Sequence, residues 1–487
     1  MPDTDRQNVL LILTDQHRAD CIGADPHCPE DADGRPLVHT PNINNFVEEG
    51  ALCTRAHTPK PTCFPARGSL WSGQEPASWD MHNADEWAFE ATLPAALRDA
   101  GYQTFLAGKT HARPLGNRIG FEERDLHTGL WAYENDGMAR SSRDDYQMWL
   151  DERVGRDADE ESLGLGRDGW GARPWHLDEH LHPTHWTTTR MVDFFDRRLD
   201  PTRPFFATLS YVRPHPPIDP PRALWDIYID RETPDPAIGD WVEDRHAAEM
   251  PAFPTTGDDV ADHPPSVVHR ARAGYYALIT QIDQQLKRLN RHMSKAGVWD
   301  ETLVVFAADH GEMLGDHYLW QKQVPYEQSV RVPLVVKFPE SWDVERRQFL
   351  DRPVGLEDVM PTVLDAAGID IPDSVDGRSL LPLFSGAADG WREYYHGEND
   401  RGYRPETSYH YLAGEDIKYI WNAHDGSELL FDHGSDPAEC HDRSEDPAYA
   451  DRLEATRAAL VDRLRDRPEG FVADGELRPV DHDDWRR

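Results

Sequence analysis

Four apolar runs alternate along the chain with segments of helical spacing. The runs are NVLLILTD (8–15), QTFLAGKTH (103–111), PFFATLSYVRPHPP (204–217) and TLVVFAADHGEM (302–313). Apolar, β-branched runs that end abruptly in polar residues are typical of buried parallel strands. The segments TLPAALRDAGY and RARAGYYALITQIDQQLKRLNRHMSKAG predict helices between them, the second ending at Gly297. We therefore expect an α/β fold, with a large, mainly parallel sheet sandwiched by helices.

Each predicted strand runs into residues that can carry chemistry. These residues are Asp15 after the first run, Lys109 and His111 after the second, His215 after the third, and Asp309 and His310 after the fourth. Ligands of open parallel sheets bind outside the carboxyl ends of the strands. The pattern therefore predicts that these side chains converge on one site.

Two changes of pattern suggest the domain organisation. Residues 218–265 are rich in Pro, Asp and Trp and have little periodicity, which predicts an insertion over the site. After residue 371 the chain has shorter strand-like pieces, DIKYIWN and SELLFDH, and a last helix from about Ala448 to Arg467. We expect a catalytic α/β domain over residues 1–371 and a smaller C-terminal α+β domain over 372–487.

The charge of the chain limits its partners. Asp and Glu number 89 against 51 Lys and Arg, which gives a net charge of −38. Such a surface repels nucleic acid and anionic membranes, so neither is an expected partner. A small anionic substrate requires a locally positive pocket. Lysine is rare and occurs only at positions 60, 109, 287, 295, 322, 337 and 418.

Cysteine usage and the chain start favour a cytoplasmic protein. The five cysteines are an odd number without a CxxC pair, so a disulfide framework is not expected. The first residues, MPDTDRQNVLLILTDQ, lack the basic flank and long apolar region of a signal peptide. No later run is long enough to span a bilayer. We expect a soluble, cytoplasmic protein.

Two strand ends offer ligands for a metal ion. Asp15 and Gln16 follow one strand and Asp309 and His310 follow another, which supplies oxygen atoms and one imidazole. Oxygen-rich sites suit Ca²⁺, Mg²⁺ or Mn²⁺ better than a structural zinc ion. Asp15 alone is better explained as a helix cap or turn residue, whereas ADHGEMLGDH directly after an apolar strand favours function.

The stretch PTCFPARGSLWSG places Cys63 ahead of a helix start. Pro65 suits a first helical turn, so Cys63 is expected at a helix N-terminus, where free backbone N–H groups favour an anion. Arg67 adds a bidentate donor for the same anion. From this pattern alone, Cys63 is open to four interpretations: a metal ligand, half of a disulfide, a nucleophile or a buried residue.

Several motifs together resemble a known family, the type I sulfatases of the alkaline-phosphatase superfamily. The matching stretches are NVLLILTDQHRAD, HTPNINNFVEEGALCTRAHTPKPTCFPARGSLWSGQ, GYQTFLAGKTH, RPHPP, VVFAADHGEMLGDHYLWQKQVPYEQSVRVPLVVKFP and KYIWNAHDGSELLFDHGSDPAE. They cover nearly the whole chain in the family's order. The resemblance implies an alkaline-phosphatase-like fold and hydrolysis of a sulfate monoester to alcohol and sulfate.

The resemblance also implies the cofactors. The family signature Cys-x-Pro-Ser/Ala-Arg is met with Ala66, so a maturation enzyme is expected to oxidise Cys63 to formylglycine, the nucleophile. One divalent metal is implied, Ca²⁺ first and Mn²⁺ or Mg²⁺ as alternatives. Its implied ligands are Asp15, Gln16, Cys63, Asp309 and His310. Gln at position 16 and His at position 310 resemble the branch of the family that contains choline sulfatases and phosphonate monoester hydrolases. The stretch HNADEW resembles the same branch, which implies that Asn83 contacts the substrate.

The remaining catalytic roles complete the hypothesis. Arg67, Lys109 and Lys322 are expected to supply the positive field that the acidic chain otherwise lacks. His215, assisted by Lys322, is expected to protonate the leaving alcohol, and His111 to remove the proton that lets sulfate leave. Taken singly, His111 and His215 are better explained as hydrogen-bonded histidines at strand ends, whereas the whole set of motifs favours function.

Two other functions remain open on the sequence. A phosphonate monoester or phosphodiester hydrolase would use the same formylglycine and metal, because tetrahedral phosphorus and sulfur make similar geometric demands. A non-catalytic anion-binding protein would keep the pocket with an unconverted Cys63.

Overall fold

A large sheet of buried strands forms the centre of the protein, as the apolar runs predict. The computed structural model describes residues 6–79, 87–129, 144–155, 160, 163–166, 169–242, 260–399 and 408–480. Its first ten strands are β1 (Asn8–Asp15), β2 (Gly50–Cys53), β3 (Ala56–His57), β4 (Gln103–Gly108), β5 (Glu123–Leu126), β6 (Phe205–Pro214), β7 (Thr302–Ala308), β8 (Leu334–Lys337), β9 (Gln348–Leu350) and β10 (Val354–Gly355).

The large sheet has eight strands in the order β5-β4-β6-β1-β7-β8-β2-β9, while β3 and β10 form a separate pair. Strands β5, β4, β6, β1 and β7 run parallel to one another, whereas β8 is antiparallel to both β7 and β2. The expectation of a mainly parallel sheet is confirmed.

Both faces of the sheet are apolar, which explains why its strands read as continuous hydrophobic runs. In β1, Val9, Leu11 and Leu13 belong to one apolar core, and Leu10 and Ile12 belong to a second core on the other face. Side chains of a strand alternate between the two faces, so each face needs its own covering layer.

Helices provide those two layers. The described α-helices are α1 (Pro41–Glu48), α2 (Cys63–Ser72), α3 (Leu93–Asp99), α4 (Asp145–Val154), α5 (Pro183–Asp193), α6 (Arg222–Tyr228), α7 (Pro265–Lys295), α8 (Glu327–Val330), α9 (Val359–Ala366), α10 (Leu381–Phe384) and α11 (Ala450–Leu464). Helices α2, α3 and α9 contribute to the first core, and α1, α5 and α7 to the second. The sequence prediction of helices on both faces is therefore confirmed.

A smaller antiparallel sheet follows in the C-terminal part. Its strands are β11 (Tyr395–Glu398), β12 (Tyr409–Ala413), β13 (Ile417–Asn422) and β14 (Glu428–Asp432), in that order. Leu460 and Leu464 of α11 pack against it, and β15 (Val472–Ala473) and β16 (Glu476–Leu477) form a last short pair. This is the predicted C-terminal α+β unit. The boundary between residues 371 and 372 stays a prediction.

A buried lysine joins the small sheet to the rest of the molecule. Lys418 of β13 is fully buried, and its Nζ lies 3.0 Å from Glu327 Oε1 of α8 and 2.9 Å from Glu439 Oε1. A buried charge is stable only where opposite charges compensate it. The two carboxylates therefore fix where β13 sits against α8.

Three further expectations concern the insertion over the site, the cysteines and the absence of a membrane-spanning helix. The predicted insertion over 218–265 is described for residues 218–242 and 260–265, so its position over the site stays a prediction. All five cysteines lie within the described residues and are free thiols. Within the same residues, no helix combines the length and apolarity that crossing a bilayer requires.

Glu357 should make a contribution to stability that falls as the pH rises from about 4.3 to about 8. Burial and the neighbouring Asp358 raise the pKa of the Glu357 carboxyl to about 8, while Tyr395 donates a hydrogen bond to its Oε2 at 2.9 Å. The folded state thus holds a proton that the unfolded chain releases near its usual pKa of about 4.3. In urea unfolding, the free energy of unfolding of the wild type relative to that of Glu357→Gln should fall by up to about 1.4 kcal/mol per pH unit within this window. The same pH dependence in both proteins would contradict this explanation.

Candidate active site

Four neighbouring parallel strands bring their carboxyl ends together at one edge of the sheet. These strands are β4, β6, β1 and β7, and they lead into Lys109, His215, Asp15 and Asp309. Backbone hydrogen bonds tie the ends, since His215 N–H donates to Asp15 O at 3.0 Å and Lys109 N–H to Ser210 O at 2.9 Å. The predicted convergence of strand ends is what the structure shows.

Asp15 is surrounded by positive charge. Its Oδ2 accepts from Lys109 Nζ at 2.5 Å and from Arg67 Nη2 at 3.3 Å. Burial opposes ionisation of this carboxyl, but the charges of Lys109 and Arg67 outweigh burial and hold its pKa well below the usual value. Asp15 is therefore a carboxylate in the folded protein at neutral pH.

Arg67 organises the site from within the core. This fully buried guanidinium donates from Nε to Asp309 Oδ2 at 2.7 Å, and from Nη1 to Lys109 O at 3.0 Å and Ser210 Oγ at 2.9 Å. With its bond to Asp15, it links the ends of β1, β4, β6 and β7. In the structure, Arg67 binds protein carboxylates rather than standing open to an anion.

Cys63 is the first residue of α2 and lies in the middle of this edge. Its Sγ is 3.5 Å from Asp15 Oδ1 and 3.1 Å from His310 Nε2. Burial, and then the Asp15 carboxylate, raises the pKa of the thiol to about 12. A buried, protonated thiol is a poor nucleophile, because thiolate is the reactive form.

Four side chains offer a set of metal ligands. Donor atoms of Asp15, Cys63, Asp309 and His310 all lie within 4.8 Å of one another, and all four residues are buried. His310 Nδ1 donates to Gly311 O at 2.9 Å, which leaves Nε2 facing the centre of the set. Two carboxylates and a correctly turned imidazole are suitable donors for a divalent cation. The residues present fit the metal that the sequence implies.

Gln16 is held beside these ligands in a left-handed conformation. Its φ is 64°, which costs a residue with a Cβ about 1–2 kcal/mol. Its N–H donates to Asp309 Oδ1 at 3.1 Å, and Tyr275 Oη donates to its carbonyl at 2.6 Å. These two bonds compensate the strained backbone, and strain held in this way is common at functional sites.

Lys322 and His215 form a pair on the same side. Lys322 Nζ is 2.6 Å from Gln16 Oε1 and 2.9 Å from His215 Nε2, while His215 Nδ1 lies 2.8 Å from Pro216 O. Burial, followed by the Lys322 charge, holds the pKa of His215 well below its usual value. The neutral imidazole therefore accepts a hydrogen bond from the lysine ammonium.

His111 and Asn83 are the least defined of the expected site residues. His111 has a φ of 61°, and its buried Nδ1 has no hydrogen-bond partner within the part of the chain that the structure describes. Burial and Lys109 hold its pKa well below the usual value, and its ring lies 6.0 Å from the Phe64 ring. Asn83 lies outside the described residues.

The structure adds three polar side chains that the sequence analysis did not select. Ser210 accepts from Arg67, Tyr275 of α7 holds the backbone of Gln16, and Glu312 accepts from Gln16 Nε2. Glu312 belongs to the ADHGEM motif, so the sequence could have indicated it as a site residue. Tyr275 lies within a regular helical pattern, which does not distinguish it from the other residues of the helix.

Comparison with known proteins agrees with this geometry. Residues 7–369 match the sulfatase family, and residues 315–466 match the C-terminal family of N-sulphoglucosamine sulphohydrolase. An arylsulfatase of Clostridium perfringens is 34% identical over 481 residues, which is 97% of each chain. A choline-sulfatase of Rhizobium meliloti is 28% identical over 460 residues, 91% of this chain and 83% of that one.

A solved structure shows the same fold. Phosphonate monoester hydrolase of Agrobacterium radiobacter matches with a TM-score of 0.77 and 25% sequence identity over 94% of this chain and 96% of that one. The chain belongs to the sulfatase family, with the alkaline-phosphatase-like fold that its motifs imply. Its enzyme class is that of the sulfuric ester hydrolases.

Proposed function

We propose that the protein is a metal-dependent hydrolase of a small sulfate monoester, with formylglycine made from Cys63 as its nucleophile. The observation that carries this proposal is the buried set of Asp15, Cys63, Asp309 and His310, whose donor atoms lie within 4.8 Å of one another. In this proposal the modified residue 63 lies at the metal site and at a helix N-terminus, where an anion is favoured. The reaction consumes water and gives an alcohol and sulfate.

The ligands favour Ca²⁺ as the ion, with Mn²⁺ or Mg²⁺ as alternatives. Asp15, Gln16, Asp309 and His310 would hold it, together with residue 63. Oxygen ligands with one imidazole suit these cations. When bound, the ion lowers the pKa of the nucleophile and offsets negative charge on the reacting sulfate.

Conversion of Cys63 supplies what the thiol lacks. Formylglycine in its hydrated form would offer one oxygen able to attack sulfur and a second whose deprotonation would let sulfate leave by elimination. Conversion is a two-electron oxidation that exchanges the sulfur of Cys63 for oxygen, so it requires a formylglycine-generating enzyme and an oxidant that act on the newly made chain. A residue that stays a protonated, buried thiol has neither property.

The chain's own residues supply charge and protons around the substrate. Arg67 fixes the two aspartates, and Lys109 and Lys322 give positive charge that an acidic chain otherwise lacks. A neutral His215 cannot itself give up a proton, so the proton for the leaving alcohol starts on Lys322 and is directed by the Lys322–His215 pair. His111, also neutral, is assigned the uptake of the proton released as sulfate departs.

Replacing Lys322 by alanine should affect poor leaving groups most. An alkyl alcohol needs a proton as the ester bond breaks, whereas p-nitrophenolate is stable without one. We expect kcat/KM to fall about 100-fold or more for an alkyl sulfate and clearly less for p-nitrophenyl sulfate. Steady-state kinetics on both esters measures this ratio. Equal losses for the two esters would contradict the proton-transfer role and leave only a binding role.

The choice between sulfate and phosphorus esters is tested by substrate comparison. The phosphonate monoester hydrolase that shares the fold favours the alternative, a phosphonate monoester or phosphodiester hydrolase. The arylsulfatase and choline-sulfatase relatives favour sulfate esters. We expect kcat/KM for p-nitrophenyl sulfate to exceed that for phenyl phosphonate esters and phosphate diesters under one set of conditions. A preference for phosphorus by orders of magnitude would overturn the proposal.

A further inference from the structure

Glu312 is a buried carboxylate near the metal ligands to which the mechanism above gives no task. The residue is 4% exposed. Its Oε2 accepts a hydrogen bond from Gln16 Nε2, and its Oε1 accepts the backbone N–H groups of Leu314 at 2.9 Å and Gln321 at 2.6 Å. One side-chain amide and two backbone N–H groups therefore meet on this side chain.

The neighbours of Gln16 determine the directions in which the oxygen and the nitrogen of its side-chain amide point. The oxygen and nitrogen ends of the amide have nearly the same shape, so only hydrogen bonds distinguish them. A carboxylate such as Glu312 only accepts, and an ammonium such as Lys322 only donates. Glu312 therefore requires the amide nitrogen on its side, and Lys322, 2.6 Å from Oε1, requires the oxygen on the other side.

We propose that Glu312 is a positioning residue that keeps the amide oxygen of Gln16 directed to the metal site. The inference rests on the proposed function, in which Gln16 is a metal ligand. A carbonyl oxygen has two lone pairs, so Oε1 can accept from Lys322 and also bind a cation, whereas a planar amide nitrogen has no lone pair to offer. A reversed amide would remove one ligand without changing the shape of the site.

Glu312 also fixes the position of Lys322. Gln321 and Gln323, on either side of Lys322, have φ values of 65° and 75°, in the left-handed region that a residue with a Cβ rarely adopts. The bond from Gln321 N–H to Glu312 Oε1 holds the start of this strained segment. One carboxylate therefore sets both a metal ligand and the lysine that donates to it.

Glu312→Gln tests the inference with almost no change of shape. The oxygen of the new amide can still accept from Leu314 and Gln321, but its NH₂ group then faces the NH₂ group of Gln16. Two donors cannot pair, so the Gln16 amide should reverse. We expect the affinity of the metal-free enzyme for Ca²⁺, measured by isothermal titration, to fall about 10- to 100-fold. The value of kcat/KM for p-nitrophenyl sulfate should fall with it.

A second substitution should restore the site. In the double variant Gln16→Glu with Glu312→Gln, one carboxylate oxygen accepts from residue 312 and the other faces Lys322 and the metal. Ca²⁺ affinity should return to within about tenfold of the wild-type value, since the lost ligand oxygen is replaced. A residue that served only the stability of the loop would show no such rescue.

Thermal melting keeps the test valid if Glu312→Gln alone does not fold. Gln16→Glu in the wild-type background brings two buried carboxylates into contact, which is destabilising. Adding Glu312→Gln should raise the melting temperature of that metal-free variant. A lower melting temperature would contradict the proposed contact between the two side chains.

Glu357→Gln is the matched control, because Glu357 is also a buried glutamate but belongs to a separate network with Asp358 and Tyr395. It should leave Ca²⁺ affinity within about twofold, because it has no contact with the ligand set. Ca²⁺ binding by Glu312→Gln as tight as that of the wild type would overturn the positioning role alone. A wild-type enzyme that binds no divalent cation would overturn the proposed metal site and, with it, this inference.

Discussion

Replacing Cys63 by alanine should reduce kcat for p-nitrophenyl sulfate by at least about 10⁴-fold, as the loss of a catalytic nucleophile does elsewhere. Alanine cannot be converted to an aldehyde, and the remaining charges of Arg67, Lys109 and Lys322 cannot replace a covalent step. Cys63→Ser would provide an attacking oxygen without the second hydroxyl that permits elimination. That variant should release at most one equivalent of p-nitrophenol per site in a rapid-mixing experiment.

Cys440→Ala is the matched control for the loss of a thiol. Cys440 is only half-buried and follows the C-terminal sheet, and its Sγ has a weak contact with Ala438 O at 4.0 Å. The activity of Cys440→Ala should stay within about twofold of the wild-type activity, as expected for a residue outside the site. Substantial turnover by Cys63→Ala would contradict the assignment of the nucleophile.

Replacing Arg67 by alanine should have the second largest effect, on stability and on activity together. The variant leaves Asp15 and Asp309 buried without the cation that lies 3.3 Å and 2.7 Å from them. Removing one partner of a buried ion pair costs about 3–5 kcal/mol. Asp309 would lose its arginine partner, whereas Asp15 would keep Lys109 Nζ at 2.5 Å. Urea unfolding of the metal-free protein should show this loss. Turnover should also fall by about 100-fold or more, since the metal ligands lose their orientation.

Added metal provides an internal check on the Arg67 variant. Ca²⁺ binds the folded state at the same carboxylates, so saturating Ca²⁺ should recover part of the lost free energy of unfolding. Arg222→Ala is the control, because this arginine pairs with Asp226 on the surface and its side chain is 73% exposed. Arg222→Ala should lower the free energy of unfolding by less than about 1 kcal/mol. Equal losses of unfolding free energy in the two variants would show that the buried ion pairs of Arg67 stabilise the protein no more than an exposed ion pair does.

The main sheet and the position of the site were predictable because they depend on local patterns. Each of the four strands is a short apolar run, and parallel neighbours place their carboxyl ends at one edge. Asp15, Lys109, His215 and Asp309 could therefore be grouped before any distance was known. Cys63 could be placed at a helix start from Pro65, and α2 does begin there.

The hydrogen bonds of the site were less predictable, because they join segments far apart in the chain. Arg67 was expected to clamp an anion, yet four of its five N–H donors bind Asp15, Asp309, Ser210 and a backbone carbonyl. Tyr275 lies in the middle of a long helix, and the helical spacing of apolar residues there does not indicate which tyrosine contacts Gln16. The neutral state of His215 depends on burial and on Lys322, which only the folded structure brings together.

The central claim is that Cys63 does not act as a thiol, and peptide mass spectrometry across PTCFPARGSLWSG tests it most directly. The protein must be isolated from its native source, because a host without the maturation enzyme would leave the thiol intact. We expect a peptide whose mass fits an aldehyde in place of the thiol at residue 63 and which reacts with a hydrazide probe. A fully active sulfatase whose Cys63 is entirely an unmodified thiol would contradict the mechanism.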